Sequence, residues 1–137
     1  MTLQHKVFVR KPTNNQRRDA ALRLMMIEDK LVDILDAPDG NALSKLKAAV
    51  ALTYMRLESI IERSPQDLYG YAFTAEERVL ARNCMPELCE EQNWSVAAAI
   101  VAELDSITLD GTSATEDEVA YAVIKIARWK LARQARG

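Results

Sequence analysis

Apolar residues recur along this chain at three- and four-residue intervals, and polar or bend-forming residues separate the periodic segments. Ala20, Leu24, Ile27, Leu31 and Leu35 trace the stripe that one face of an α-helix buries, with Asp29, Asp33 and Asp36 on the other side. The pattern predicts a first helix over residues 14–36. Leu22 and Met26 lie away from that stripe, so this helix is apolar on more than one face near its start. A second helix over residues 41–63 turns Leu43, Leu46, Val50, Leu57, Ile60 and Ile61 inward. Its reverse side, Ser44, Ala48, Ala51 and Ser59, is small and admits close approach by another helix. The short link from Ala37 to Gly40 predicts that these two helices pair antiparallel.

An irregular stretch follows Ser64 and Pro65, and a third helix is expected from Thr74. Pro86 either ends that helix near Cys84 or sits in the first turn of a new one. Ala97, Ile100, Val101 and Leu104 give the next buried stripe, and Val119, Val123, Ile126, Ala127 and Leu131 give a last helix over residues 115–133. Three threonines are each followed three residues later by Gln or Glu: Thr13 with Gln16, Thr74 with Glu77, Thr115 with Glu118. In this capping-box pattern, hydroxyl and carboxylate or amide satisfy the free N–H groups of a helix start. Alternation from Lys6 to Arg10 offers a short strand or an extended arm, and strand signals are otherwise scarce. The expected architecture is all-α: one helical domain of five or six helices over residues 14–137, preceded by an extended basic arm over residues 1–13.

Composition supports a globular chain: 137 residues, 49% apolar and 28% charged. The longest apolar run, Trp94 to Ala102, includes Ser95 and is too short to span a bilayer, and the first fifteen residues lack the apolar core of a secretory signal. No membrane partner is expected. Two cysteines, Cys84 and Cys89, offer no disulfide framework, and a reducing, cytoplasmic setting is the simpler reading.

Charge is sorted by position. Residues 1–18 carry Lys6, Arg10, Lys11, Arg17 and Arg18 and no acid; residues 119–137 carry Lys125, Arg128, Lys130, Arg133 and Arg136 and no acid. Between them, residues 64–118 hold twelve acids against Arg78 and Arg82. Either the basic ends fold back onto the acidic centre or they face an acidic partner.

Catalytic signals are missing. His5 is the single histidine and lies in the arm; no nucleophile elbow, zinc-protease motif or phosphate-cradling loop is present. Glu87, Glu90 and Glu91 share a helical face, but no Glu-x-x-His pair accompanies them, and a solvated acidic face explains them better than a metal site. No cofactor or metal is expected. A helix-turn-helix over residues 87–104 is excluded, because its second helix would carry no base to meet phosphates or read base edges.

These observations point to a non-enzymatic binding protein, a small regulator, inhibitor or assembly factor working through protein–protein contacts. Tyr69, Tyr71 and Phe73 place three aromatics on one short connection, either as interface anchors or as a plug for the bundle. Leu22 and Met26 add apolar surface, and self-association through the first helix and the small-sided second one would cover both in a homodimer. The alternative is nucleic-acid binding by the last helix and the arm: Tyr121, Lys125, Arg128, Trp129, Arg133 and Arg136 with Lys6, Arg10, Lys11, Arg17 and Arg18. The competing account of the last helix is a solvated basic face that offsets the helix dipole.

Overall fold

The computed structural model describes residues 13–36, 41–63 and 74–136, with side chains described to residue 57 in the second segment and to residue 132 in the third. The expected arm and the Tyr69, Tyr71 and Phe73 connection lie outside the described residues. Within them the chain is an all-α bundle of five helices: α1 Asn14–Leu35, α2 Ala42–Arg63, α3 Ala75–Cys84, α4 Glu91–Asp105 and α5 Glu116–Arg136. A 3₁₀ turn, Met85–Cys89, joins α3 to α4, so Pro86 does both things the sequence allowed: α3 stops at Cys84 and a new turn begins with the proline near its start. No described helix is long and apolar enough to cross a membrane.

All three capping boxes form. Thr13 accepts from the Gln16 N–H at 3.1 Å while Gln16 accepts from the Thr13 N–H at 2.8 Å. Thr74 and Glu77 repeat the exchange at 3.1 and 2.9 Å, and Thr115 and Glu118 at 3.3 and 3.2 Å. Each box fixes the entry of a helix whose stripe then falls inward.

The predicted stripes are buried at Ala20, Leu24, Ile27, Leu31 and Leu35 on α1; Leu46, Val50 and Leu57 on α2; Ala97, Ile100, Val101 and Leu104 on α4; and Val119, Val123 and Ala127 on α5, whereas Leu43, Ile126 and Leu131 are only half-buried and the side chains of Ile60 and Ile61 lie outside the described residues. Two helices are buried further round than their stripes imply. On α2 the small side is also sealed, with Ala48, Ala49 and Ala51 in the interior; on α5, Ala120, Ala122 and Ile124 join the core. These alanines make α2 the centre of the bundle, with α4 and α5 as its principal neighbours.

That centre displaces the expected α1–α2 pair. α1 touches α2 only sparingly and lies chiefly against α5. Its cross-helix bonds run from Arg23 to Glu118 and from Glu28 to Lys125, so the two helices advance in the same direction. Because α2 spends both faces on α4 and α5, little of it is left for α1.

One small sheet went unread in the sequence. Thr108–Leu109 (β1) pairs antiparallel with Thr112–Ser113 (β2), Thr108 opposite Ser113 and Leu109 opposite Thr112, and β1 rests against α1. Asp110 and Gly111 make the turn with φ of 51° and 79°, the left-handed pair that a two-residue hairpin requires. The Asp-Gly signal was present, but strands this short leave no alternation to detect.

Candidate interaction surface

The fold remixes the charge that the sequence keeps apart. Arg23 on α1 reaches Glu118 on α5 with a two-point contact, Nε donating to Oε1 at 2.8 Å and Nη2 to Oε2 at 2.7 Å. Both side chains are buried, 7% and 0% exposed. Arg56 on α2 donates to both Asp105 carboxylate oxygens at 3.2 Å and lies 3.7 Å from Glu116. On α5, Lys125 meets Glu28 at 3.2 Å and Arg128 meets Glu77 at 3.0 Å; Lys30 approaches Glu103 at 3.8 Å. Among the described residues the acidic centre is therefore answered mainly by Arg23, Arg56 and Arg128, and only the last of these belongs to a basic end.

This bears directly on the residues singled out for nucleic acid. Lys125 and Arg128 are exposed but each is paired to an acid. Tyr121 is half-buried and packs against the core, so its ring is not an open stacking platform. Trp129 is half-exposed, with the Lys130 ammonium 5.3 Å from its ring centre. Arg17 and Arg18 are exposed in the first turns of α1. The side chains of Arg133 and Arg136, and Lys6, Arg10 and Lys11 altogether, lie outside the described residues. What the described residues do not form is one continuous open positive face, because Glu28 and Glu77 sit within it.

The apolar surface is better organised. Leu22 is 43% exposed, Met25 59% and Met26 40%, the three sharing one side of α1 at helical spacing. At about 100° per residue their mean direction is opposite the Ala20, Leu24, Ile27, Leu31 and Leu35 stripe. The core contacts of α1 therefore leave this side uncovered. Met25, adjacent to Met26 and one turn beyond Leu22, belongs to the patch and was missed; its i, i+3 spacing from Leu22 was the available signal. The small side of α2, which was to share a self-association surface with α1, is instead interior. Met55, farther along that side, is exposed. Leu22 and Met26 stand with Met25 as the apolar patch, without Ala48 and Ala51.

The remaining candidates for chemistry are dispersed. Cys84 is buried, and burial pushes its thiol pKa up, opposed by the charge of Lys47. Cys89 is exposed. Among the described residues no group of three or more metal-ligating side chains converges. Among the described residues Asp117 has a buried side-chain oxygen left unsatisfied: its Oδ1 accepts from the Thr115 hydroxyl, whereas its buried Oδ2 has no hydrogen-bond partner. Desolvation raises its carboxyl pKa, helped by the neighbouring charge of Glu118 and opposed by the Thr115 hydrogen bond.

Comparison of the chain with protein-family models, with curated proteins and with solved structures gives no match.

Proposed function

We propose that the chain is a non-enzymatic helical binding protein, a small regulator, inhibitor or assembly factor, which captures another protein through the outer side of α1. The observation that carries this reading is the exposure of Leu22, Met25 and Met26 on the side of α1 directly opposite its buried stripe. Leaving two methionines and a leucine in water gains nothing for a monomer, and a methionine-bearing apolar patch adapts readily to a partner's surface. The free thiols Cys84 and Cys89 support a cytoplasmic setting for that activity. A photoreactive residue placed at position 25 should crosslink to protein in cells, and the Leu22→Glu, Met25→Glu, Met26→Glu triple variant should lose binding while keeping its helical circular dichroism. A residue at position 25 that yields no protein adduct would sink the reading.

A second reading, nucleic-acid binding through α5, is favoured by one observation, the half-exposed Trp129 beside Lys130. It requires binding that weakens steeply with salt as counterions are released. It also requires Glu28 and Glu77 to surrender Lys125 and Arg128, which counts against it.

A further inference from the structure

The outer side of α1 is patterned along its length as well as around it. Arg18 lies four residues before Leu22, Met25 three residues after Leu22, and Asp29 four residues after Met25. All four are exposed, and at about 100° per residue they fall within a sector of roughly 60°. The charges that α1 commits inside the fold are different ones: Arg23 to Glu118, Glu28 to Lys125 and Lys30 to Glu103. Arg18 and Asp29 are thus left facing outward, one at each end of the apolar patch.

The row reads base, apolar, apolar, acid, with the same spacing from either end. Turned end for end, it becomes acid, apolar, apolar, base: its own complement. We propose that the outer side of α1 pairs with the same side of a second copy of this chain, the two helices antiparallel about a twofold axis. Arg18 then faces Asp29 of the second copy and Leu22 faces Met25 of the second copy, and the axis repeats both contacts. A parallel pairing would set like charges together at both ends, so the charges select the orientation as well as the partner. Met26, beside the row, closes over its edge. The inference rests on the reading of α1 as the binding surface and names what binds there. A single helix pair is small beside the roughly 1,600 Å² of a standard interface, so the dimer should be reversible.

Analytical ultracentrifugation of the full chain tests this directly. A concentration-dependent dimer is expected, and Leu22→Glu should return it to monomer with circular dichroism unchanged. Arg18→Asp leaves the row with two acids and Asp29→Arg leaves it with two bases; each should weaken dimerisation roughly tenfold, through two symmetric pairs. Mixing these two variants should restore association as a heterodimer, since each now complements the other. A wild-type chain that stays monomeric up to roughly 1 mM, a dimer indifferent to Leu22→Glu, or a mixture that fails to associate would each overturn the proposal. A monomer that still crosslinks from position 25 to a different protein would overturn self-pairing while leaving the α1 binding reading intact.

Discussion

Two of the three capping boxes are the same device put to different use. In both, a glutamate three residues after a threonine returns to the threonine N–H, Glu77 at 2.9 Å and Glu118 at 3.2 Å. In both, the same carboxylate also takes an arginine from another helix: Arg128 of α5 reaches Glu77, and Arg23 of α1 reaches Glu118. One residue thereby sets the start of a helix and the position of a neighbour. The difference is water. Arg128 is 54% exposed, whereas Arg23 is 7% exposed and grips Glu118 at two points. A motif that is local in sequence becomes tertiary according to what is packed over it, and only the buried version cannot be undone cheaply.

The largest effect should come from breaking the buried version. Glu118→Ala removes both bonds that Glu118 accepts from the buried Arg23 guanidinium and should cost about 3–5 kcal/mol in denaturant unfolding. Replacing both members with apolar residues, Arg23→Met with Glu118→Leu, should recover most of that loss, because the desolvation cost of the pair disappears with it. A small effect of Glu118→Ala would mean that the buried Arg23 charge does not depend on Glu118, and the contrast between the two boxes would collapse.

The same contrast explains what could be read in advance. Thr74 with Glu77 and Thr115 with Glu118 were visible because capping is set by a fixed spacing, as were the stripes from Ala20 to Leu35 and from Ala97 to Leu104, set by helical period. Nothing in the spacing links Arg23 to Glu118, which are 95 residues apart. That pairing exists because α1 lies along α5, and α1 lies there because α2 buries its alanine side against other helices. The alanines at 48, 49, 51, 120 and 122 carry little signal in an amphipathic pattern, yet they decide which helices sit at the centre. The interaction surface was legible for a matching reason: Leu22 and Met26 break the period of α1. The residues that answer one another in charge, Arg18 and Asp29, required knowing which of α1's charged groups the fold had already engaged.

Glu77→Ala should have a milder outcome, about 1 kcal/mol, composed mostly of the lost cap, since Arg128 can return to water. Salt sharpens the comparison. Raising ionic strength should screen more of what the solvent-facing Arg128 contributes at the buried Glu77 than of what Arg23 contributes at Glu118, so the penalty of Glu77→Ala should shrink in salt and that of Glu118→Ala should persist. Equal salt sensitivity of the two variants would show that Glu118 is more accessible than its packing indicates.

The subtlest difference lies one residue earlier in each box. Glu76 is exposed, whereas the corresponding Asp117 is buried with Oδ2 unpartnered. Burial raises the Asp117 pKa in the folded chain, so between its unfolded and folded values the native state holds more protons than the unfolded state. Stability contributed by Asp117 must then fall as pH rises through that window, opposite to the usual behaviour of a paired carboxylate. Asp117→Asn keeps an oxygen for the Thr115 hydroxyl and removes the charge. It should leave stability almost unchanged at acidic pH, raise it modestly at neutral pH, and flatten this part of the pH profile. Glu76→Gln, at an exposed position, should leave stability at neutral pH nearly unchanged. If Asp117→Asn destabilises the chain at neutral pH, then the negative charge at the start of α5 is worth more to the helix than its burial costs, and the two boxes differ less than their exposure implies.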